Sequence, residues 1–73
     1  MNQNDMVLNH MKVFGSITQQ DAGEMYGIMR LGARIEELRK QGYVIKTVTE
    51  KGKNRFGKRT HYARYRMEGR KDG

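Results

Sequence analysis

Between residues 28 and 42, in IMRLGARIEELRKQG, apolar positions recur with the period of a helix: Leu31, Ile35 and Leu38 fall at i, i+4 and i+7. At about 100° per residue they make a narrow stripe, with Ile28 just outside its start on the same side. Met29, Ala33, Glu36, Glu37 and Lys40 fall opposite, and Arg30 and Arg34 flank the stripe. Arg39 and Lys40 suit the negative end of the helix dipole, and Gly42 stands where a left-handed cap belongs. The pattern predicts a helix over 29–41 with a core side and an outward side of mixed charge.

Two shorter helical patterns precede it. Asp5 is the expected N-cap of a helix over 6–14, with Val7, Leu8 and Met11 on its apolar side, Phe14 adjoining and Gly15 closing it. His10 lies beside that side and reads as a structural histidine. Ser16, Ile17 and Thr18 form a short extended link. Thr18 with Asp21 three residues on is a near relative of the capping box, and predicts a helix over 19–26 with Ala22, Met25 and Tyr26 inward. Gly27 ends it. Gly23 and Gly32, inside helices, read as points of close approach by a neighbour. Two short helices joined by a tight glycine-containing turn form a helix-turn-helix signature.

After Gly42 the period shortens to two. YVIKTVTE at 43–50 and THYARYRM at 60–67 are rich in β-branched and aromatic residues. The second run alternates His61, Ala63, Tyr65 and Met67 against Tyr62, Arg64 and Arg66, a strand with one basic face. Between the runs, KGKNRFGKR at 51–59 holds five Lys or Arg in nine positions, with glycines at 52 and 57. Tyr43, Tyr62 and Tyr65 are assigned mainly to packing. A domain over 1–67 and a flexible tail over 68–73, EGRKDG, complete the reading. The expected fold class is α+β, three helices followed by a two-stranded hairpin, which is the order of a winged helix-turn-helix.

Composition narrows the chemistry. Seventy-three residues make one domain with a modest core. There is no cysteine, and His10 and His61 have no carboxylates at ligand spacing, so neither metal nor other cofactor is expected. No catalytic constellation is present, and an enzyme is disfavoured. No apolar run approaches the roughly 20 residues of a membrane span, and MNQNDM is a polar start, so the chain reads as soluble and cytoplasmic. The net charge is +7, and residues 1–42 contribute none of it, with five basic and five acidic side chains. Residues 43–73 hold ten basic and three acidic ones. Solubility does not require charge gathered at one end, so a polyanion, nucleic acid above all, is the favoured partner.

The motifs GSIT at 15–18, YGI at 26–28, RLGARIEELRKQGY at 30–43, NRFGKR at 54–59 and YARYRM at 62–67 resemble a small winged helix-turn-helix family common in bacteriophage and prophage genomes. The resemblance spans residues 6–67. It implies double-stranded DNA as partner, in a bacterial host cell at the nucleoid. The third helix would lie in the major groove, and the hairpin loop would touch backbone or an adjacent groove. Similar sequences tend to carry Thr or Ser where Met29 stands, which leaves the third helix without a good N-cap.

Chemistry assigns the roles. Arg30, at the helix start, suits a bidentate bond to guanine N7 and O6. Ala33 lets the helix approach and offers its methyl to thymine. Arg34 divides evenly between base reading and a structural ion pair or phosphate contact. Glu36 and Glu37 could accept from cytosine N4, but pairing with Lys40 or Arg34 on the surface is favoured for both. Backbone contacts are expected from Thr18, Gln19 and Gln20 at a helix N-terminus, from Lys40, and from Lys51, Lys53, Asn54, Arg55, Lys58 and Arg59 in the loop. Arg55 is the candidate for a minor groove. Phe56 is either a loop anchor folded onto the strands, the commoner arrangement, or a wedge against DNA.

A transcriptional regulator is the leading role, with a recombination-directionality or architectural factor as runner-up. A protein-binding module that inhibits a host factor is a different class, disfavoured by the basic hairpin. RNA binding ranks third. One small domain offers a limited footprint, so a homodimer or cooperative tandem copies fit specific binding.

Overall fold

Asn2, rather than Asp5, caps the first helix: its side-chain oxygen accepts from the Asp5 N–H at 2.8 Å. In the computed structural model, which describes residues 2–70, that helix is α1, Gln3–Phe14, three residues longer at its start than expected. Asp5 sits in its first turn, where its charge favours the helix dipole instead of capping it. Strand β1, Ser16–Thr18, leads into α2, Gln19–Tyr26. The capping box is complete: Thr18 Oγ1 accepts from the Asp21 N–H and Asp21 Oδ2 accepts from the Thr18 N–H, both at 3.1 Å. Of the three residues expected inward, Ala22 is buried and Tyr26 half-buried, but Met25 is exposed.

Gly27 adopts φ +67°, a left-handed conformation that side-chain-bearing residues resist, and this turns the chain within a few residues. Helix α3 then runs Leu31–Lys40. Its stripe is as expected, with Leu31, Ile35 and Leu38 at no more than 1 % exposure. Together with Val7, Met11, Ile17, Ala22, Ile28 and Ile45 they form one core. The two helical glycines are not close-approach points. A methyl on Gly23 would meet only the Ile28 carbonyl at 4.0 Å, and one on Gly32 only the Tyr65 hydroxyl at 3.8 Å.

Strands β2, Tyr43–Lys53, and β3, Arg59–Arg70, form the hairpin. The link at 16–18 is more than a connector, since β1 pairs antiparallel with β3 and the sheet order is β1-β3-β2. The pairing follows from Ile17, which must bury its side chain in the core while its backbone polar groups find partners. Residues 68–70 belong to β3, where Gly69 and Arg70 pair with Val44 and Tyr43, so the expected tail is strand there. Residues 71–73 lie outside the described residues. No helix is long and apolar enough to cross a membrane, and the described residues hold no cluster of three or more His, Cys, Asp or Glu.

Candidate nucleic-acid interface

The period-two pattern decides which way the basic residues point. Ile45, Thr47, Thr49, Lys51 and Lys53 of β2 stand opposite Met67, Tyr65, Ala63, His61 and Arg59 of β3, and so share one face of the hairpin. At its near end that face covers the core, through Ile45, Tyr65 and Met67. Farther out it carries Lys51, Lys53, Arg59 and His61, all exposed, on the side where the helices lie. The strands extend to Lys53 and from Arg59, so the loop is only the five residues 54–58. Lys51, Lys53 and Arg59 are therefore held on strands, and Arg55 and Lys58 at the tip.

Asn54 builds that tip. Its Oδ1 accepts from the backbone N–H of Phe56 at 2.9 Å and of Lys58 at 3.1 Å, and its own N–H donates to the Lys58 carbonyl at 2.9 Å. Gly57 closes the turn at φ +77°. Asn54, a backbone-contact candidate, thus shapes the loop with its side-chain oxygen. Phe56 does not fold onto the strands; it is 80 % exposed, against the anchor expectation.

On the opposite face of the hairpin, Arg64 is tied down. Its Nε donates to Glu50 Oε1 at 2.7 Å and its Nη1 to Ser16 Oγ at 3.0 Å. The Arg64 hydrogen bond holds the Glu50 carboxyl below the usual carboxylate range, against the opposing effect of partial burial. The same bond raises Arg64 above the ordinary arginine value. One cation of the second basic face, Arg64, is thereby spent on fastening β1, β2 and β3 together.

Helix α3 sorts its charges in the same way. Arg34 Nη2 donates to Glu37 Oε1, and Glu37 Oε2 accepts from Asn4 Nδ2 of α1, each at 2.7 Å. Arg34 Nε and Asn4 Oδ1 are out of solvent as well, and neither has a hydrogen-bond partner among the described residues. Arg34 and Glu37, both candidates for base reading, therefore join α3 to α1. On the other flank Arg39 donates to the Ile45 carbonyl at 2.7 and 3.1 Å, to Thr47 Oγ1 at 2.9 Å and to Glu36 at 2.7 Å. It fixes the angle between α3 and the hairpin. Sequence reasoning saw Arg39 only as a last-turn cation, because the partner carbonyl lies across a turn that no periodicity describes.

Two of the backbone-contact candidates at α2 are also committed. Thr18 is 5 % exposed and its oxygen caps the helix. Gln19 reaches across the helix-turn-helix: its Nε2 donates to the Ile28 carbonyl at 2.7 Å, and its Oε1 accepts from the Leu31 N–H at 3.0 Å. Arg30 occupies the N-cap of α3 with no side-chain hydrogen bond, so Gln19 is the cap that Met29 does not supply. Gln20 stays exposed, and with Lys53, Thr60, His61 and Tyr62 it lines a cleft of about 630 Å³ between α2 and the hairpin. Arg30 and Lys40 are exposed and Ala33 half-buried. Met29, beside Arg30 and on the outward side as expected, is an apolar side chain at 83 % exposure.

The family model for winged helix-turn-helix domains matches residues 2–70. The chain belongs to that family. The winged helix matches no curated protein and no solved structure at a significant level. Its wing is the β2–β3 hairpin, and its helix-turn-helix is α2, the Gly27 turn and α3.

Proposed function

We propose that this winged helix binds double-stranded DNA as a transcriptional regulator of phage or prophage type, acting in the bacterial cytoplasm. The observation that carries the reading is the row Lys51, Lys53 and Arg59, which projects on the side of the sheet where α3 lies. Helix and wing can then face one polyanion together. In this reading the start of α3 enters the major groove. Arg30 donates to guanine, Ala33 permits the approach, and Met29 meets a thymine methyl. Lys40 and Gln20 contact phosphates at the two ends of the helix-turn-helix. Lys51, Lys53 and Arg59 grip the backbone along the wing, and Arg55 and Lys58 do so at its tip. Arg34, Glu37, Thr18, Gln19 and the Asn54 oxygen position these groups rather than touch DNA. A small footprint favours a dimer or tandem copies on the operator.

Fluorescence anisotropy with mixed-sequence duplex DNA over a salt series tests the proposal. We expect a log–log slope of several released ions, reduced by about one for each of Lys53→Ala, Arg55→Ala and Lys58→Ala. Arg30→Ala should relax the preferences found by selection from a random duplex library. Absence of binding at low salt would overturn the reading.

A further inference from the structure

Phe56 stands at the end of the wing, 80 % exposed, on a turn held by three hydrogen bonds to Asn54 and one from its N–H. A lone exposed aromatic is ordinary on a protein surface. This one differs in its setting. Lys53, Arg55, Lys58 and Arg59 surround it within three residues on either side. Four cations at one tip repel a second copy of that tip, so the collar admits a polyanion and disfavours self-association through Phe56. The phosphate clamp uses the cations and leaves the ring unemployed.

Reach decides where the ring can go. Arg39 ties Thr47 to α3, and beyond Thr47 the β2 strand continues for the six residues 48–53, roughly 20 Å at about 3.3 Å per residue. Adjacent grooves lie about half of a roughly 34 Å helical turn apart, about 17 Å. With α3 in the major groove, the tip arrives at the neighbouring minor groove. There a rigid turn presents one apolar ring flanked by phosphate-binding side chains, the equipment of a side chain that pries open a base step.

We propose that Phe56 is a wedge: it inserts between base pairs in the minor groove and kinks the duplex, so that the protein bends its operator as well as reading it. This rests on the DNA-binding reading above. Flexible TA and CA steps are the sites it should select. Such bending also fits the runner-up role of an architectural factor.

The test uses the full chain and mixed-sequence duplexes of about 20 base pairs rich in TA and CA steps, roughly two helical turns. The duplexes carry end-to-end fluorescence-transfer dyes, and 2-aminopurine at each such step in turn. Wild type should raise both end-to-end transfer and 2-aminopurine emission. Phe56→Leu, still an apolar wedge, should keep most of both changes. Phe56→Ala should lose them while binding roughly 5- to 100-fold more weakly, with its circular dichroism unaltered. If Phe56→Ala bends and unstacks like wild type, or wild type binds without doing either, the wedge is wrong and DNA binding stands. If no duplex is bound at low salt, both proposals fall. If Phe56→Ala alters only the sedimentation of the free protein, the ring serves self-association and the wedge is again overturned.

Discussion

Replacing Gln19 by Ala removes the side chain that bridges the two halves of the helix-turn-helix. The Ile28 carbonyl and the Leu31 N–H lose bonds of 2.7 and 3.0 Å, and α3 loses the side-chain cap that Arg30 does not provide. Two net hydrogen bonds at about 1 kcal/mol each would give about 2 kcal/mol, in the range measured for lost N-caps. Gln19 is exposed, so water re-satisfies part of the loss, and about 1–2 kcal/mol is the working figure. For a chain of 73 residues that lowers Tm by roughly 5–15 °C. Gln19→Glu keeps an acceptor for the Leu31 N–H but loses the donor to Ile28, and should fall between wild type and the alanine variant. Urea and thermal unfolding followed by circular dichroism measure both. A Gln19→Ala protein within about 0.5 kcal/mol of wild type, the range of an ordinary surface substitution, would refute the bridging role. If its stability were intact and its salt slope on DNA reduced, Gln19 would be a phosphate ligand after all.

Arg34→Ala should cost under about 1 kcal/mol, as befits a half-exposed pair with side chains 30 % and 44 % accessible, and should leave base preference unaltered. A changed preference in library selection would return Arg34 to the groove. For Glu50, the folded carboxyl titrates below its unfolded value because Arg64 donates to it. Its contribution is therefore complete above the unfolded carboxylate pKa of about 4.3 and fades as pH falls through the lower folded value. The stability gap between wild type and Glu50→Gln in urea should be open at pH 6 and narrowed at pH 3; an unchanged gap would remove the ion pair from the account.

Much of the fold is legible in the sequence alone. The Leu31, Ile35, Leu38 stripe, the Thr18–Asp21 box, the left-handed Gly27 and the alternation through His61, Ala63, Tyr65 and Met67 are local signals, each carried by residues within one or two turns of each other. They determined three helices and a hairpin; the Lys and Arg residues of 51–59 marked the wing as basic, and the motifs carried the family resemblance. What they could not determine is where each polar side chain spends its hydrogen bonds. Gln19 to Leu31, Asn4 to Glu37, Arg39 to Ile45 and Arg64 to Ser16 join residues between 6 and 48 positions apart. The pairing of β1 with β3 is of the same kind. Composition marks such residues as charged or amide and exposed, and a ligand-binding role is then the natural expectation. Only the packed chain shows that several candidates at the interface are its scaffold, because burial obliges polar groups to find partners wherever the fold brings them. By the same token it leaves the side chains of Arg30, Lys51, Lys53, Arg55 and Phe56 facing solvent, without a side-chain partner among the described hydrogen bonds and ion pairs.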